Sequence, residues 1–352
     1  LKKRLITKNY TIHINNNAVL SKFLKNGAYS KVFVLVDENT EKYCLHKIIN
    51  ALPENIHVIR IISDEINKNL TTCQKIWKKL INNGADRHSL LINLGGGVVG
   101  DMGGFCAATY MRGIDFIQIP TTLLSMADAS IGGKLGIDVM NYKNIVGLIS
   151  NPKAIFVFTD FLETLPYNQL RSGYAELLKH GLISDNEVWK HLSSVEDINS
   201  LSYEKIITKS ISIKNNITEE DPQEKGLRKV LNFGHTIGHA IESYWLESSS
   251  SLLHGEAIAI GMISEAYISY SLGKITEEEL FEIRKAILNL YGHQRKFVKP
   301  IEKIIAYMKS DKKNHGNSIR LALLEGIGSA CYDVEVSPEM IYQSLVFYRK
   351  KL

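Results

Sequence analysis

The chain has 352 residues, 45 % hydrophobic and 22 % charged, and its 42 basic and 37 acidic side chains leave a net charge of +5. That length suits two domains, and the composition excludes a disordered chain, a collagen-like fibre and a coiled-coil rod. The mild charge contains no block of like sign, so it calls for no nucleic acid, yet it accommodates a small anionic substrate.

The basic start, Leu1-Lys-Lys-Arg4, leads into polar residues and not into an apolar signal core. The chain does not begin with Met, so a few residues are expected to precede Leu1. Residues 31–36 form an apolar, β-branched run ending at Asp37, and residues 57–62 form another. Residues 71–83 have helical period, and the strand pattern at 89–94 runs straight into glycines. Strand patterns return at 115–119, closed by Pro120, and at 154–158. Strands alternating with helices predict a mostly parallel sheet covered on both faces. Past residue 165 the β-branched runs stop, and 169–183, 202–217, 229–244, 254–272 and 277–290 read as helices. The expected fold is an α/β nucleotide-binding domain with a mostly parallel sheet over 1–165, then a mainly α-helical domain over 166–352. Clefts between two such domains are common ligand sites.

No apolar run approaches the ~20 residues of a membrane-spanning helix. Cys44, Cys73, Cys106 and Cys331 lie far apart without C-x-x-C spacing, which predicts reduced thiols and a cytoplasmic protein.

The stretch Gly95-Gly-Gly-Val-Val-Gly-Asp101 follows a strand, opens a helical pattern and matches G-x-G-x-x-G. Such glycines let a backbone approach a pyrophosphate at a helix N-terminus. A lone match also fits a plain tight turn, and strand context raises the nucleotide reading. The motif comes after the third strand pattern, and the best ribose-binding acid is Asp37 on an earlier strand, which suggests a variant nucleotide fold.

A second signal is Asn232-Phe-Gly-His235-Thr-Ile-Gly-His239, with His254 beyond four serines at 248–251. Histidines at i and i+4 share a helix face. Imidazoles with one carboxylate make a metal site with an open position, and Glu176 in Gly173-Tyr-Ala-Glu-Leu-Leu-Lys-His180 is a candidate carboxylate. Spacing alone selects His235 and His239 as ligands; a solvated histidine pair is the plainer alternative. A third signal is a set of cations and amides in glycine-rich surroundings: Arg112, Lys134, Lys143, Asn144, Lys179, Arg228, Lys312 and Lys313. Singly each reads as a solvated charge; together they suit a substrate carrying phosphate or carboxylate. Asp128 adds a carboxylate six residues before Lys134.

In this order the motifs resemble the 3-dehydroquinate synthase family, from about Asp37 to the Asp311-Lys-Lys-Asn314 segment. The most specific stretches are 95–104, 120–124, 128–134, 173–179 and 226–239. The resemblance implies a homodimer that uses NAD and a divalent metal, zinc or cobalt. It implies conversion of the sugar phosphate carboxylate 3-deoxy-D-arabino-heptulosonate 7-phosphate to 3-dehydroquinate and phosphate. The steps implied are transient oxidation by NAD, phosphate elimination, reduction, ring opening and intramolecular aldol closure. It also implies metal ligands Glu176, His235 and His254, which moves His239 to the substrate phosphate. Lys134, Asn144, Asn232 and the Lys312/Lys313 pair would join His239 there. Lys214 and Arg228 would bind the carboxylate, Asp128 and Lys179 the ring hydroxyls, and Arg112 would reach the partner subunit's site. For NAD it implies Asp37, Asn39, Glu65, Lys68, the backbone of Gly96, Gly97 and Val98, Asp101, Thr121, Thr122, Lys134, Lys143, Phe161 and Thr164. A carboxylate at Asp37 favours NAD over NADP. With site residues in both halves, domain closure over NAD is expected.

Three departures from the family pattern concern loops: a long 245–253 segment, Asn314-His315 in the 311–316 segment, and no glycine around Glu65. Other sugar phosphate cyclases, acting on sedoheptulose 7-phosphate or glucose 6-phosphate, are the nearest competing reading, and Arg228 with Asn232 favours the carboxylated substrate. A glycerol-type alcohol dehydrogenase would not need so many phosphate-binding cations. A non-catalytic sensor would be expected to have lost a ligand or Lys134.

Overall fold

The computed structural model describes residues 4–140, 142–245, 252–310 and 319–350. Its contacts gather into two units, Leu1–Pro166 with Ser202–Asn215, and Tyr167–Leu201 with Asn216–Leu352. The segment Ser202–Asn215 therefore counts with the first unit, against the expectation of a single cut after residue 165.

The strands of the first unit are β1 (Arg4–Ile6), β2 (Thr11–Ile14), β3 (Val32–Asp37), β4 (Ile56–Ile61), β5 (Leu90–Gly95), β6 (Asp115–Pro120), β7 (Lys134–Val139), β8 (Tyr142–Ile149) and β9 (Ala154–Val157). Seven form one sheet in the order β1-β2-β9-β6-β5-β3-β4. Every pairing is parallel except β1 with β2. β3 and β5 are buried along their whole length, as strands covered on both faces must be. The five predicted strands are all present. β1 and β2 were not predicted; they are short, and β1 is largely exposed. The antiparallel hairpin β7–β8 was also missed.

Helix α1 (Asn17–Asn26) precedes β3, and α2 (Leu70–Asn82) lies between β4 and β5. Asn69 caps α2 by accepting from the Thr72 N–H, and the helix buries Cys73, Ile76 and Leu80, one helical stripe. Helix α3 (Gly97–Thr109) is apolar and buried on nearly every side. A side chain at Gly103 would stand 2.1 Å from Asn93 Oδ1 and 2.7 Å from Leu35, so glycine lets this helix lie directly on the sheet.

The second unit is built from α4 (Tyr167–Ser184), α5 (Asn186–Ser193), the last turns of α6 (Tyr203–Glu220), α7 (His235–Trp245), α8 (His254–Ser271), α9 (Glu277–Tyr291), α10 (Ile301–Ser310) and α11 (Pro338–Arg349). One antiparallel hairpin, β10 (Ile319–Leu324) with β11 (Ala330–Val336), interrupts the helices. Helix α8 is the hub: all but Glu256 and Tyr267 between Gly255 and Ser269 are buried, and it touches α4, α7, α9 and α11. The single helix expected over 229–244 is two elements, a 3₁₀ segment over Leu227–Asn232 and then α7. Gly234, at φ +78°, makes the break that a residue with a side chain would resist.

Candidate active site

The first unit carries the nucleotide candidates. Strand β5 ends at Gly95, and Gly96 stands at the cap position of α3 with no side chain to satisfy the first helical N–H groups. Free N–H groups and the helix dipole make such an end a receptor for phosphate oxygens. The Thr121 N–H donates to the Gly95 carbonyl at 3.0 Å, tying the end of β6 to this turn. Thr122 lies beside Gly96 and exchanges a 2.9 Å hydroxyl contact with Ser125. Asp37 ends β3, and its Oδ1 accepts from the N–H groups of Asn39 at 2.9 Å and Thr40 at 2.7 Å. Burial nevertheless pushes its carboxyl above the usual range.

Behind the glycine turn lies a closed polar network. The buried Lys68 ammonium donates to Asp101 Oδ2 and to Asn144 Oδ1, both at 2.6 Å. Burial pulls this lysine down, but Asp101 and Glu65 outweigh it and hold the ammonium above its usual range. Asn144 sits at φ +52°, and its own N–H donates to Asp138 at 2.7 Å. Lys143 pairs with Glu65 at 3.3 Å. Lys214, on α6, reaches both the carbonyl and the carboxylate of Asp128 at 2.7 Å. Lys134 opens β7 and is exposed, as is Arg112 at φ +69° beyond α3. The Phe161 ring is buried edge-on against Phe158, while Thr164 is exposed and its hydroxyl donates to the Phe161 carbonyl at 3.4 Å.

The second unit carries the metal candidates. Glu176 is fully buried on α4, and Lys179 one turn later forms an ion pair with it. His235 Nε2 lies 3.4 Å and His254 Nε2 3.5 Å from the same oxygen, Glu176 Oε1. The Lys179 ammonium answers Glu176 Oε2, but Oε1 has no hydrogen-bond partner. Buried carboxylate oxygens without hydrogen bonds are rare and call for an explanation. The three groups are aimed at a common point and are not bonded to one another, which is the geometry of ligands around a cation. Both imidazoles are anchored through the opposite nitrogen: His235 Nδ1 meets the Phe233 carbonyl at 3.1 Å, and His254 Nδ1 meets Glu242 Oε2 at 3.3 Å. Anchoring at Nδ1 presents Nε2 outward, as metal-binding histidines require.

His239 stays within the cluster, since one nitrogen from each of His235, His239 and His254 lies within 4.8 Å of the others. Spacing alone selected His235 with His239; the Nε2 atoms that converge on Glu176 belong to His235 and His254. Burial pushes Glu176 up, but Lys179 and His235 outweigh it and hold the carboxylate well below its usual range. Burial lowers His235, whereas Glu242 and Glu176 overcome burial at His254 and raise it to about 9. Two acids around one imidazole mark a place that favours positive charge.

Backbone approach fixes these positions. A Cβ at Gly255 would stand 2.0 Å from the Ser172 carbonyl, and one at Gly261 would stand 1.9 Å from the Gly234 carbonyl. Helix α8 therefore meets α4 and the start of α7 backbone to backbone, which brings Glu176, His235 and His254 together. Arg228 is buried, with Nη1 donating to the Pro222 carbonyl at 2.8 Å, and Asn232 donates to Glu224 at 2.8 Å. Lys312 and Lys313 lie outside the described residues, as do Asn314 and His315.

Sequence reading missed Glu242, Glu265, Glu224 and Asp138. Glu242 was detectable seven residues after His235, on the same face of α7. Glu265 was detectable as an acid inside the apolar run of α8.

Solved structures with this fold bind both kinds of cofactor. A 2-deoxy-scyllo-inosose synthase, solved with carbaglucose-6-phosphate, NAD+ and Co2+, superposes with a TM-score of 0.84 at 26 % identity, covering 97 % of this chain and 98 % of that one. A 2-epi-5-epi-valiolone synthase from Streptomyces hygroscopicus, with NAD+ and Zn2+ bound, superposes at 0.82 and 24 % identity, with 98 % of both chains covered. The fold is that of the sugar phosphate cyclases. Residues 58–172 match the 3-dehydroquinate synthase N-terminal family, and residues 173–314 match the 3-dehydroquinate synthase C-terminal family. A 3-dehydroquinate synthase of Parabacteroides distasonis is 40 % identical over 336 residues, covering 94 % of this chain and 95 % of that protein. The chain belongs to the 3-dehydroquinate synthase family.

Proposed function

We propose that this chain converts 3-deoxy-D-arabino-heptulosonate 7-phosphate to 3-dehydroquinate and phosphate, as a carbon–oxygen lyase with NAD and one divalent metal. The observation that carries the metal half is the convergence of two anchored Nε2 atoms on a buried Glu176 oxygen that lacks a hydrogen bond. The glycine turn at α3 and the Asp37 carboxylate support the NAD half. When bound, NAD supplies transient oxidation of the C5 alcohol and its reversal, and the metal polarises the C5 oxygen.

The chain's own residues bind and orient. Glu176, His235 and His254 hold the metal, and Lys179 beside Glu176 is the cation that orients a ring hydroxyl. Arg228, pinned through Nη1, and Lys214, pinned by Asp128, take the substrate carboxylate. A planar guanidinium matches a carboxylate in two-point fashion, which favours an acidic sugar phosphate over a neutral one. Lys134, Asn144, Asn232 and His239 take the phosphate, with His239 holding its proton. Exposed Arg112 is the residue offered to a second copy in a homodimer. Elimination and aldol closure then need mainly a fixed substrate, so positioning is the largest contribution of the protein. A cytoplasmic site of action agrees with four free thiols, three of them buried. Among the described residues no helix is long and apolar enough to cross a membrane.

The test is phosphate release from 3-deoxy-D-arabino-heptulosonate 7-phosphate with substoichiometric NAD, with and without a chelator. Many phosphates per NAD, stopped by the chelator, with 3-dehydroquinate as product, is the expected result. No release from folded, metal- and NAD-loaded protein would redirect the assignment to another sugar phosphate, and a substrate screen would follow.

A further inference from the structure

We propose that Glu242 is a positioning residue of the metal centre: its carboxylate holds the proton on His254 Nδ1 and so keeps His254 Nε2 presented to the ion. The inference rests on the ligand set Glu176, His235 and His254 given above.

The two imidazole ligands are anchored differently. His235 leans on a backbone carbonyl, Phe233 O, two residues earlier in its own chain segment. That acceptor moves with the helix start and cannot be removed by a side-chain change. His254 leans on a side chain from another helix, Glu242 of α7, at 3.3 Å. His254 is the first residue of α8, so its ring projects from a helix end. Without a partner at Nδ1 the imidazole could rotate, or carry its proton on Nε2, and either change removes a lone pair from the cluster.

Glu242 is 5 % exposed, on the face of α7 that carries His235 and His239. A carboxylate so buried needs charge-assisted hydrogen bonds to remain there, and the His254 Nδ1–H is one of them. The converse contact ties the same helices together: Glu265 of α8 accepts from the Gly234 N–H at 2.6 Å and the Ile237 N–H at 3.2 Å, at the start of α7. Each helix thus sends a buried carboxyl group to the other at the place where a histidine ligand begins. Glu265 fixes where α7 starts, and Glu242 fixes which way the ring of α8 faces.

The experiment titrates metal-free full-length protein with Co2+ against a competing chelator and records the visible spectrum of the bound ion. Glu242→Ala is expected to weaken Co2+ binding by about 10–100-fold, as loss of an outer carboxylate on a ligating histidine does. The absorption of bound Co2+ should also change, because the ring reorients. Glu242→Gln keeps an acceptor oxygen and should recover most, not all, of the affinity. NAD affinity and the melting temperature of the metal-free protein report whether the fold is intact. Wild-type Co2+ affinity and spectrum in folded Glu242→Ala would overturn the proposal. Should that variant fail to fold, wild-type Co2+ affinity and spectrum in Glu242→Leu, which fills the space without an acceptor, would overturn it instead. His254→Ala runs in parallel: if it also binds Co2+ normally, the ligand set itself is wrong. If it loses the ion while the Glu242 variants keep it, only the role of Glu242 fails.

Discussion

Each unit buries a lysine against a carboxylate, Lys68 in the first and Lys179 in the second, and these two pairs serve different ends. Lys68 in the first unit is matched on both sides, by Asp101 and Asn144 at 2.6 Å. Asn144 is in turn held by Asp138, so the network closes on itself. Lys179 in the second unit pairs with Glu176 Oε2, and the other oxygen, Oε1, has no hydrogen bond while two imidazole nitrogens point at it. A pair whose polar atoms are all answered is architecture; it holds a strand end and a helix start in place. A pair with unanswered, converging atoms is a receptor. Burial alone does not separate the two, since both lysines are almost wholly enclosed.

The largest expected effect breaks the open pair and spares the closed one. Glu176→Gln and His254→Ala should each abolish stoichiometric metal binding and lower turnover by about a thousandfold or more, since a metal supplies several kcal/mol of charge stabilisation. NAD affinity should change little, because the Lys68 network is untouched. Metal analysis and nucleotide titration on the same preparation check both halves, and retained stoichiometric zinc in His254→Ala would refute the ligand choice.

Breaking the closed pair should have the opposite signature. Lys68→Met leaves Asp101 without its ammonium partner. Removal of one member of a buried pair costs about 3–5 kcal/mol, and the 20 % exposure of Asp101 places this case at the lower end. Urea unfolding should show the loss and NAD binding should weaken, while metal affinity stays close to wild type. Metal loss in Lys68→Met would erase the distinction between the pairs. A smaller change sits under the open pair. Gly261→Ala puts a methyl 1.9 Å from the Gly234 carbonyl. Overpacking of this kind costs about 1–3 kcal/mol. It should also loosen the metal, because His235 follows Gly234. Unchanged metal affinity in a destabilised Gly261→Ala would mean that the helix crossing does not set the ligand spacing.

The sequence exposes the two units unequally. The central strands are readable because full burial demands unbroken apolar, β-branched runs, as at Val32–Asp37 and Leu90–Gly95. β1 and β2 escape because three- and four-residue strands with exposed positions carry too few residues to show a period. β7 and β8 escape because their glycines, Gly136 and Gly147, mimic a loop. In the second unit, helical period continues through Leu227–Asn232 and hides the break that Gly234 makes. The histidines stand out by residue type, but spacing ranks His239 beside His235. Which nitrogens converge depends on α4 and α8, far apart in sequence. Glu242 looks like an ordinary helix-surface acid until packing buries it, whereas Glu265 stands out inside the apolar run of α8.

The finest test concerns Glu265, where two effects compete at one carboxylate. The backbone N–H groups of Gly234 and Ile237 and the start of α7 favour its charged form. Complete burial opposes charge and wins, raising Glu265 from 4.5 to about 8. The sign follows from linkage: between those values the unfolded chain has released the proton and the folded chain still holds it. Folding stability is therefore full below the lower value and is lost as pH rises toward the upper one. Melting temperature of the metal-free protein should fall between pH 6 and about 8.5, and the fall should be shallower in Glu265→Gln, which cannot release that proton. The variant should start from a lower baseline, because its amide N–H₂ confronts one of the backbone donors that the acid accepts. Slope and baseline thus report separate things: the slope reads the titration, the baseline reads the hydrogen bonds. Equal slopes in the two proteins would mean that the N–H groups outweigh burial and that Glu265 is ionised throughout. It would then belong with the answered carboxylates of the first unit.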